Sequence, residues 1–322
     1  MTKTISELFE ERTFVTNPGT ETYLVFQQKF DLAEFCGFLV HEDESAWEAL
    51  EQNYLFPLFE TAAHNNQGLL LDTLVWRAQA DFIEKLGRQA CEIDRINERA
   101  VSMTRASVAK WRNQHGVEPH NFPVLITADI GPRGDAYHVA ESLASSEPAY
   151  AYHRTQVRIL AKAGVDLVCA LTMTTVAETV GIVRAAAEAA LPVIVSPTVE
   201  TDGRLPDGTP LGVFIEQVDS ATNAQPLLYM VNCAHPSHLI PTLEVATLNN
   251  DAWLSRFRGF RANASAKSHA ELDNSTELDR GDVQALGQQM IEMQSKYDLR
   301  VIGGCCGTDH EHVAAMASKA HC

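Results

Sequence analysis

No run of apolar residues in this chain is long enough to span a bilayer, and no low-complexity tract interrupts it, so neither a membrane-embedded nor a disordered protein is expected. Basic residues are scarce: 25 Lys and Arg face 42 Asp and Glu, a formal charge of -17. That balance excludes sequence-independent binding to nucleic acid and mainly favours solubility. The seven cysteines are odd in number and show no regular spacing, which excludes a disulfide scaffold. Nothing after the first strand-like run resembles the G-x-G-x-x-G that opens a dinucleotide-binding unit. The stretches 19–66 and 264–280 contain few Pro or Gly residues in series, and there is no internal repeat beyond an alternation of strand-like and helical segments, so no linker or domain boundary is expected within residues 1–322. Residues 1–13 carry Glu7, Glu10 and Glu11 and lack the basic-then-apolar profile of an export signal, so a cytoplasmic protein with mostly reduced cysteines is expected.

What is present is alternation. Short apolar, β-branched runs fall at 13–16, 69–73, 124–130, 166–171, 193–199, 227–233, 257–263 and 301–305. Helical periodicity fills 78–115, 150–163, 176–190, 211–222, 237–248, 282–297 and 311–319 between and after them. Eight such units predict an α/β fold, a single-domain (β/α)8 TIM barrel. Residues 19–66 and 264–280 fit no compact βα unit and read as active-site covers or interface elements, which leaves room for a homo-oligomer.

Chemistry concentrates at two strand ends. Cys233 closes the sixth run and Cys305 the eighth, followed at once by Cys306 inside Gly303-Gly304-Cys305-Cys306-Gly307-Thr308. In a barrel both ends face the catalytic mouth. Three thiolates are a zinc ligand set that leaves one tetrahedral position open for a substrate thiol, so Cys233, Cys305 and Cys306 are the expected catalytic and metal-binding residues. Gly303 and Gly304 are expected to avoid crowding the metal and to adopt unusual backbone angles. The rival reading, a redox pair, is disfavoured because adjacent cysteines form only a strained ring and no C-x-x-C spacing occurs. Cys36, Cys91 and Cys169 read as isolated small hydrophobes and Cys322 as tail. His235, His310 and His312 are weaker candidates for a fourth ligand. Thr308 and Glu311 have the spacing of a capping box, which would place His310 and His312 in a solvated first turn.

Val231-Asn232-Cys233-Ala234-His235-Pro236 together with the 303–308 segment resembles the homocysteine S-methyltransferase family. Further matches are Ile130-Gly131-Pro132-Arg133-Gly134, the 163–167 entry to the fourth strand, and the 203–211 segment after the fifth. The resemblance implies a barrel in which three cysteines hold Zn2+, and in which the metal activates homocysteine for attack on the methyl group of a sulfonium or similar donor. Its partners would be a small thiol and a methyl donor. Two departures stand where the amino-acid part of the acceptor should be read: Asn17 replaces the family's first aspartate, and Leu171 a later glutamate. Glu21 and Asp72 are candidates to supply the missing charge. Asn17, Trp76 and Asn232 complete the expected substrate-binding set, with Asn232 also suited to orienting a ligand. Arg77, Arg133 and Tyr137 are further residues expected at the mouth. The alternatives are a methyltransferase or demethylase acting on another small thiol or selenol, and a noncatalytic zinc-binding regulatory barrel.

Overall fold

In a computed structural model, which describes residues 3–134, 145–273 and 277–317, eight parallel strands close into a barrel in sequence order. They are β1 (Phe14–Thr16), β2 (Gly68–Asp72), β3 (Val124–Ile130), β4 (Leu167–Met173), β5 (Val193–Pro197), β6 (Leu228–Ala234), β7 (Phe257–Ala262) and β8 (Val301–Gly304). All eight expected runs are strands. The closing strand is the shortest: β1 pairs Phe14 with Gly68 on one side and with Val301 on the other.

The period-two alternation of the strands sorts the core into two layers. Phe14, Leu70, Leu125, Leu167, Cys169, Ile194, Met230 and Val301 point into the barrel, and Phe9 of the helix Ile5–Glu11 plugs its lower end edge-on to Phe14 at 5.0 Å. Their neighbours Val15, Leu69, Leu71, Ile126 and Val168 point outward against the helices. Each fully buried apolar side chain contributes roughly 1.5–3 kcal/mol relative to exposure.

The helices flank the strands as expected, with one correction. The stretch 78–115 is not continuous: Ala80–Lys85, a short turn of 3-10 helix at Ala90–Glu92, and Ile93–His115 are separate. Gly87, with φ at +73°, lies in the left-handed region just past the end of the first, a conformation that ends a helix. Tyr137, Lys319 and Cys322 lie outside the described residues.

The 19–66 segment builds its own helical layer, including Glu44–Leu50 and Phe56–His64. The buried Tyr54 hydroxyl donates to the Pro18 carbonyl at 2.9 Å and lies 2.6 Å from Thr20 Oγ1, which ties this layer to the loop after β1. Among the described residues no helix is long and apolar enough to cross a membrane.

Candidate metal centre

β6 and β8 flank β7, and the curvature of the barrel brings their carboxyl ends together. Cys233, Cys305 and Cys306 therefore place their sulfurs within 4.8 Å of one another. Cys233 and Cys305 are joined as a disulfide with Cα atoms 5.3 Å apart, and Cys306 is a free thiol. The expectation that these cysteines are reduced is corrected for that pair; spacing in the sequence shows nothing of a bond spanning 72 residues.

Local backbone geometry aims the sulfurs. Cys233 has φ at +55°, and the β6–β7 register slips between Asn232 and Ala234, so the strand bulges at the cysteine. Thr172 has φ at +60° beside a matching irregularity between β4 and β5. Such conformations cost of order 1–3 kcal/mol each and persist where surrounding contacts over-determine them. The amide of Asn232 is that contact here. Its Oδ1 accepts from the Thr172 backbone N–H at 2.9 Å and from Ser196 Oγ at 2.6 Å, and its Nδ2 donates to Thr172 Oγ1 at 2.8 Å.

Gly303 and Gly304 do not take left-handed angles, contrary to expectation. A Cβ at Gly303 would lie 2.1 Å from Thr16 Oγ1 and one at Gly304 2.0 Å from Thr308 Oγ1, so close packing demands glycine at both. The left-handed angle falls instead at Gly307, φ +80°. Thr308 Oγ1 donates to the Cys305 carbonyl at 2.6 Å and accepts from Gly19 N–H at 3.1 Å, while Thr22 Oγ1 accepts from Gly307 N–H at 3.2 Å. The loops after β1 and β8 are thus stitched into one unit.

The candidate histidines are engaged elsewhere. His235 caps the helix Pro236–Asn249 through its ring nitrogen and Ser237, and burial pushes its pKa down to about 4. His312 is wholly buried rather than solvated, between Asp309 at 2.9 Å and the Arg280 carbonyl at 2.9 Å. The expected Thr308–Glu311 box does not form. Asp309 accepts from the Glu311 N–H at 3.1 Å and Thr308 faces the cysteine loop. His310 is only partly buried and, with the other two, lies outside the cluster of sulfurs.

The remaining expected residues surround the mouth. Asn17 is buried after β1, and its Oδ1 accepts from the Asp72 N–H at 3.0 Å. Asp72 ends β2 in a buried ion pair with Arg261 at 2.7 Å and also accepts from Thr127 Oγ1 at 3.1 Å. Trp76 donates its Nε1–H to the Leu171 carbonyl at 3.3 Å and packs over Gly131, where a Cβ would come within 2.6 Å of the indole. Leu171 itself is a buried member of the barrel interior. Arg77 stacks on Trp76 and Phe82 at 4.9 Å and donates to the Glu34 carbonyl, and Arg133 lies over Tyr152 beside Asp81. Glu21, partly buried, acts electrostatically on Asp72, Arg261 and Cys306. Burial first, and then the charge of Glu21, pushes the Cys306 thiol up to about 12.

Two residues of this mouth escape a reading of the sequence. Arg261 shares the strand Phe257–Ala262 with Arg258, and two charges in one barrel strand were the available signal, without saying which of them faces inward. His269 has no comparable signal: it comes from the insert after β7, contacts the Cys233 carbonyl at 2.6 Å and lies 3.3 Å from Glu200.

A parallel (β/α)8 barrel that gathers three cysteine sulfurs at the carboxyl ends of its strands defines a thiol-site barrel. The homocysteine S-methyltransferase family model matches residues 69–320, and the chain belongs to that family of methyltransferases. Among solved structures it is similar to the homocysteine methyltransferase MmuM from Escherichia coli. The oxidized form is 18% identical with a TM-score of 0.70, covering 94% of each chain. The metallated form is 17% identical with a TM-score of 0.69, covering 97% of this chain and 98% of that one.

Proposed function

We propose that the chain, taken over residues 1–322 as one unit, is a zinc-dependent S-methyltransferase that moves a methyl group from a sulfonium donor to a small thiol. Homocysteine, giving methionine, is the first-choice acceptor. The observation that carries the reading is the convergence of Cys233, Cys305 and Cys306 within 4.8 Å. Three thiolates about 2.3 Å from one zinc ion in a tetrahedral arrangement stand roughly 3.8 Å apart, a spacing this cluster can meet. Binding requires reduction of the Cys233–Cys305 bond, with two electrons and two protons supplied by an added thiol or phosphine.

When bound, zinc would lower the pKa of the acceptor thiol and hold its sulfur for attack. The protein's own residues fix the geometry. Asn232 holds the β4 and β6 bulges, and the Thr308–Gly19 and Thr22–Gly307 bonds hold the cysteine loop. In the transfer a sulfur–carbon bond forms at the acceptor as the donor's carbon–sulfur bond breaks. The electron pair leaves with the donor, so a thiolate and a sulfonium become two neutral thioethers. The thiol proton goes to solvent, and positioning supplies much of the remaining acceleration. The acidic surface and the family's chemistry support small-molecule partners and a cytoplasmic setting.

Leu171 and Asn17 favour a second reading, transfer to or from another small thiol or selenol. Reduced, zinc-loaded protein assayed with a sulfonium donor against a thiol panel separates the two. Homocysteine turnover supports the first reading. Turnover of other thiols only supports the second, and no transfer to any thiol overturns both.

A further inference from the structure

We infer that His269, steadied by Glu200, is a positioning residue for the metal centre: it holds the backbone of Cys233 from the insert after β7 and so fixes the direction of that sulfur. This goes beyond the zinc–thiol reading and rests on it. The bulge in β6 creates the need. Pairing with β7 passes from Asn232–Arg261 to Ala234–Ala262 and leaves Cys233, at φ +55°, without a register partner. Asn232 grips β4 and β5 with its side chain, and the Asn263 N–H donates to the Ala234 carbonyl at 2.9 Å. Cys233 lies buried between these two, and a buried carbonyl outside the ladder needs a donor from elsewhere. His269 Nε2 supplies it at 2.6 Å, across 36 residues of chain. A carbonyl only accepts, so Nε2 carries the proton of this bond.

Both ends of this contact are anchored. Glu200 Oε1 lies 3.3 Å from His269 Nδ1, so the ring is bracketed by a carboxylate at one nitrogen and the Cys233 carbonyl at the other. The Glu200 backbone is locked in the turn after β5, its N–H donating to the Arg204 carbonyl at 2.8 Å and its carbonyl accepting from the Gly203 N–H at 2.9 Å. His269 opens the short helix His269–Asp273, where the Ser268 hydroxyl and N–H both donate to the Glu271 carboxylate, at 2.7 and 2.8 Å. The same insert reaches the other cysteine loop through the Ala264 N–H, 3.1 Å from the Cys306 carbonyl. A left-handed residue relaxes toward the ordinary β region by rotating the peptides on either side of it. A bond to its carbonyl resists that rotation, and with it movement of the sulfur. Loss of a group one bond removed from a metal ligand typically changes metal affinity roughly 10–100-fold.

The test is the rate at which reduced, zinc-loaded protein releases zinc to the chelating dye pyridylazoresorcinol. His269→Phe, which keeps a ring and removes the donor, is expected to release zinc at least about tenfold faster than wild type, and His269→Gln, whose amide reaches the Nε2 position, to stay within about threefold of wild type. His238→Phe is the control. His238 Nε2 lies 2.9 Å from the Ala266 carbonyl and anchors the same insert at another residue, so its loss is expected to leave release within about twofold. Release from His269→Phe at the wild-type rate, or from His269→Gln or His238→Phe as fast as from His269→Phe, overturns the positioning role and leaves the metal reading standing. Should His269→Phe fail to fold, Glu200→Ala carries the same test, with release about threefold faster expected and an unchanged rate overturning the inference. A reduced wild type that takes up no zinc overturns both.

Discussion

A cysteine held at φ +55° is an expensive way to place a sulfur, and at the end of β6 it supports the proposed metal-ligand role of Cys233 over that of a packed hydrophobe. Cys169 makes the contrast. It faces the barrel interior among Leu167, Leu171 and Met230, and burial drives its thiol pKa far up. Cys305→Ser is accordingly expected to lower zinc content to well under one ion per chain, whereas Cys169→Ser should retain it; equal loss in both, measured by elemental analysis, contradicts the ligand assignment. A second residue-scale prediction concerns His41, wholly buried against Trp47 and pushed by that burial down to about 4. The unfolded chain binds a proton near pH 6.5 and the folded one does not. The contribution of neutral His41 is thus present above that pH and lost as pH falls through 4, by about 3 kcal/mol in the limit. Denaturation of the metal-free protein should show wild type losing more stability than His41→Phe between pH 7 and 4; parallel losses would contradict it. The vicinal cysteines and their partner were legible from glycine flanks and strand-end position. Arg261 and the burial of His312 were not read, because an inward charge becomes visible only once its partner, Asp72 or Asp309, is located in space.

Elements were legible to within a residue or two wherever β-branched runs alternated with helical periodicity, as in Val124–Ile130 and Leu211–Thr222. Irregularity was not. The bulges at Thr172 and Cys233 arise from register between neighbouring strands, and the break near Gly87 from one left-handed residue inside a helical pattern. Because Asn232 bridges both bulges through three hydrogen bonds, Asn232→Ala should cost about 2–3 kcal/mol and weaken zinc binding with all three cysteines intact. Denaturant titration and a competitive chelator assay check both parts; an unchanged zinc affinity would show that the bulges hold themselves. The β2–β7 ion pair has a larger expected effect. Arg261→Met strands Asp72 in the interior, and the loss should approach about 3–5 kcal/mol.

At the scale of the molecule, the barrel closes through a three-residue strand that lies before the family match begins at residue 69. β1 pairs with both β2 and β8, and its loop carries Asn17, Glu21 and the Gly19–Thr308 bond. Removing residues 1–67 should therefore leave two open strand edges and an associating, poorly packed protein, read by gel filtration and near-ultraviolet circular dichroism. A monodisperse fragment with native spectra would show that β1 is dispensable. The proposed function descends from what this closure brings together, three sulfurs within 4.8 Å of one another. X-ray absorption at the zinc edge of the reduced, zinc-loaded protein probes that arrangement most directly. Three sulfur neighbours at about 2.3 Å and one light atom are expected, rising to four sulfurs when homocysteine is added; fewer than three sulfurs, or a histidine signature in their place, would contradict it.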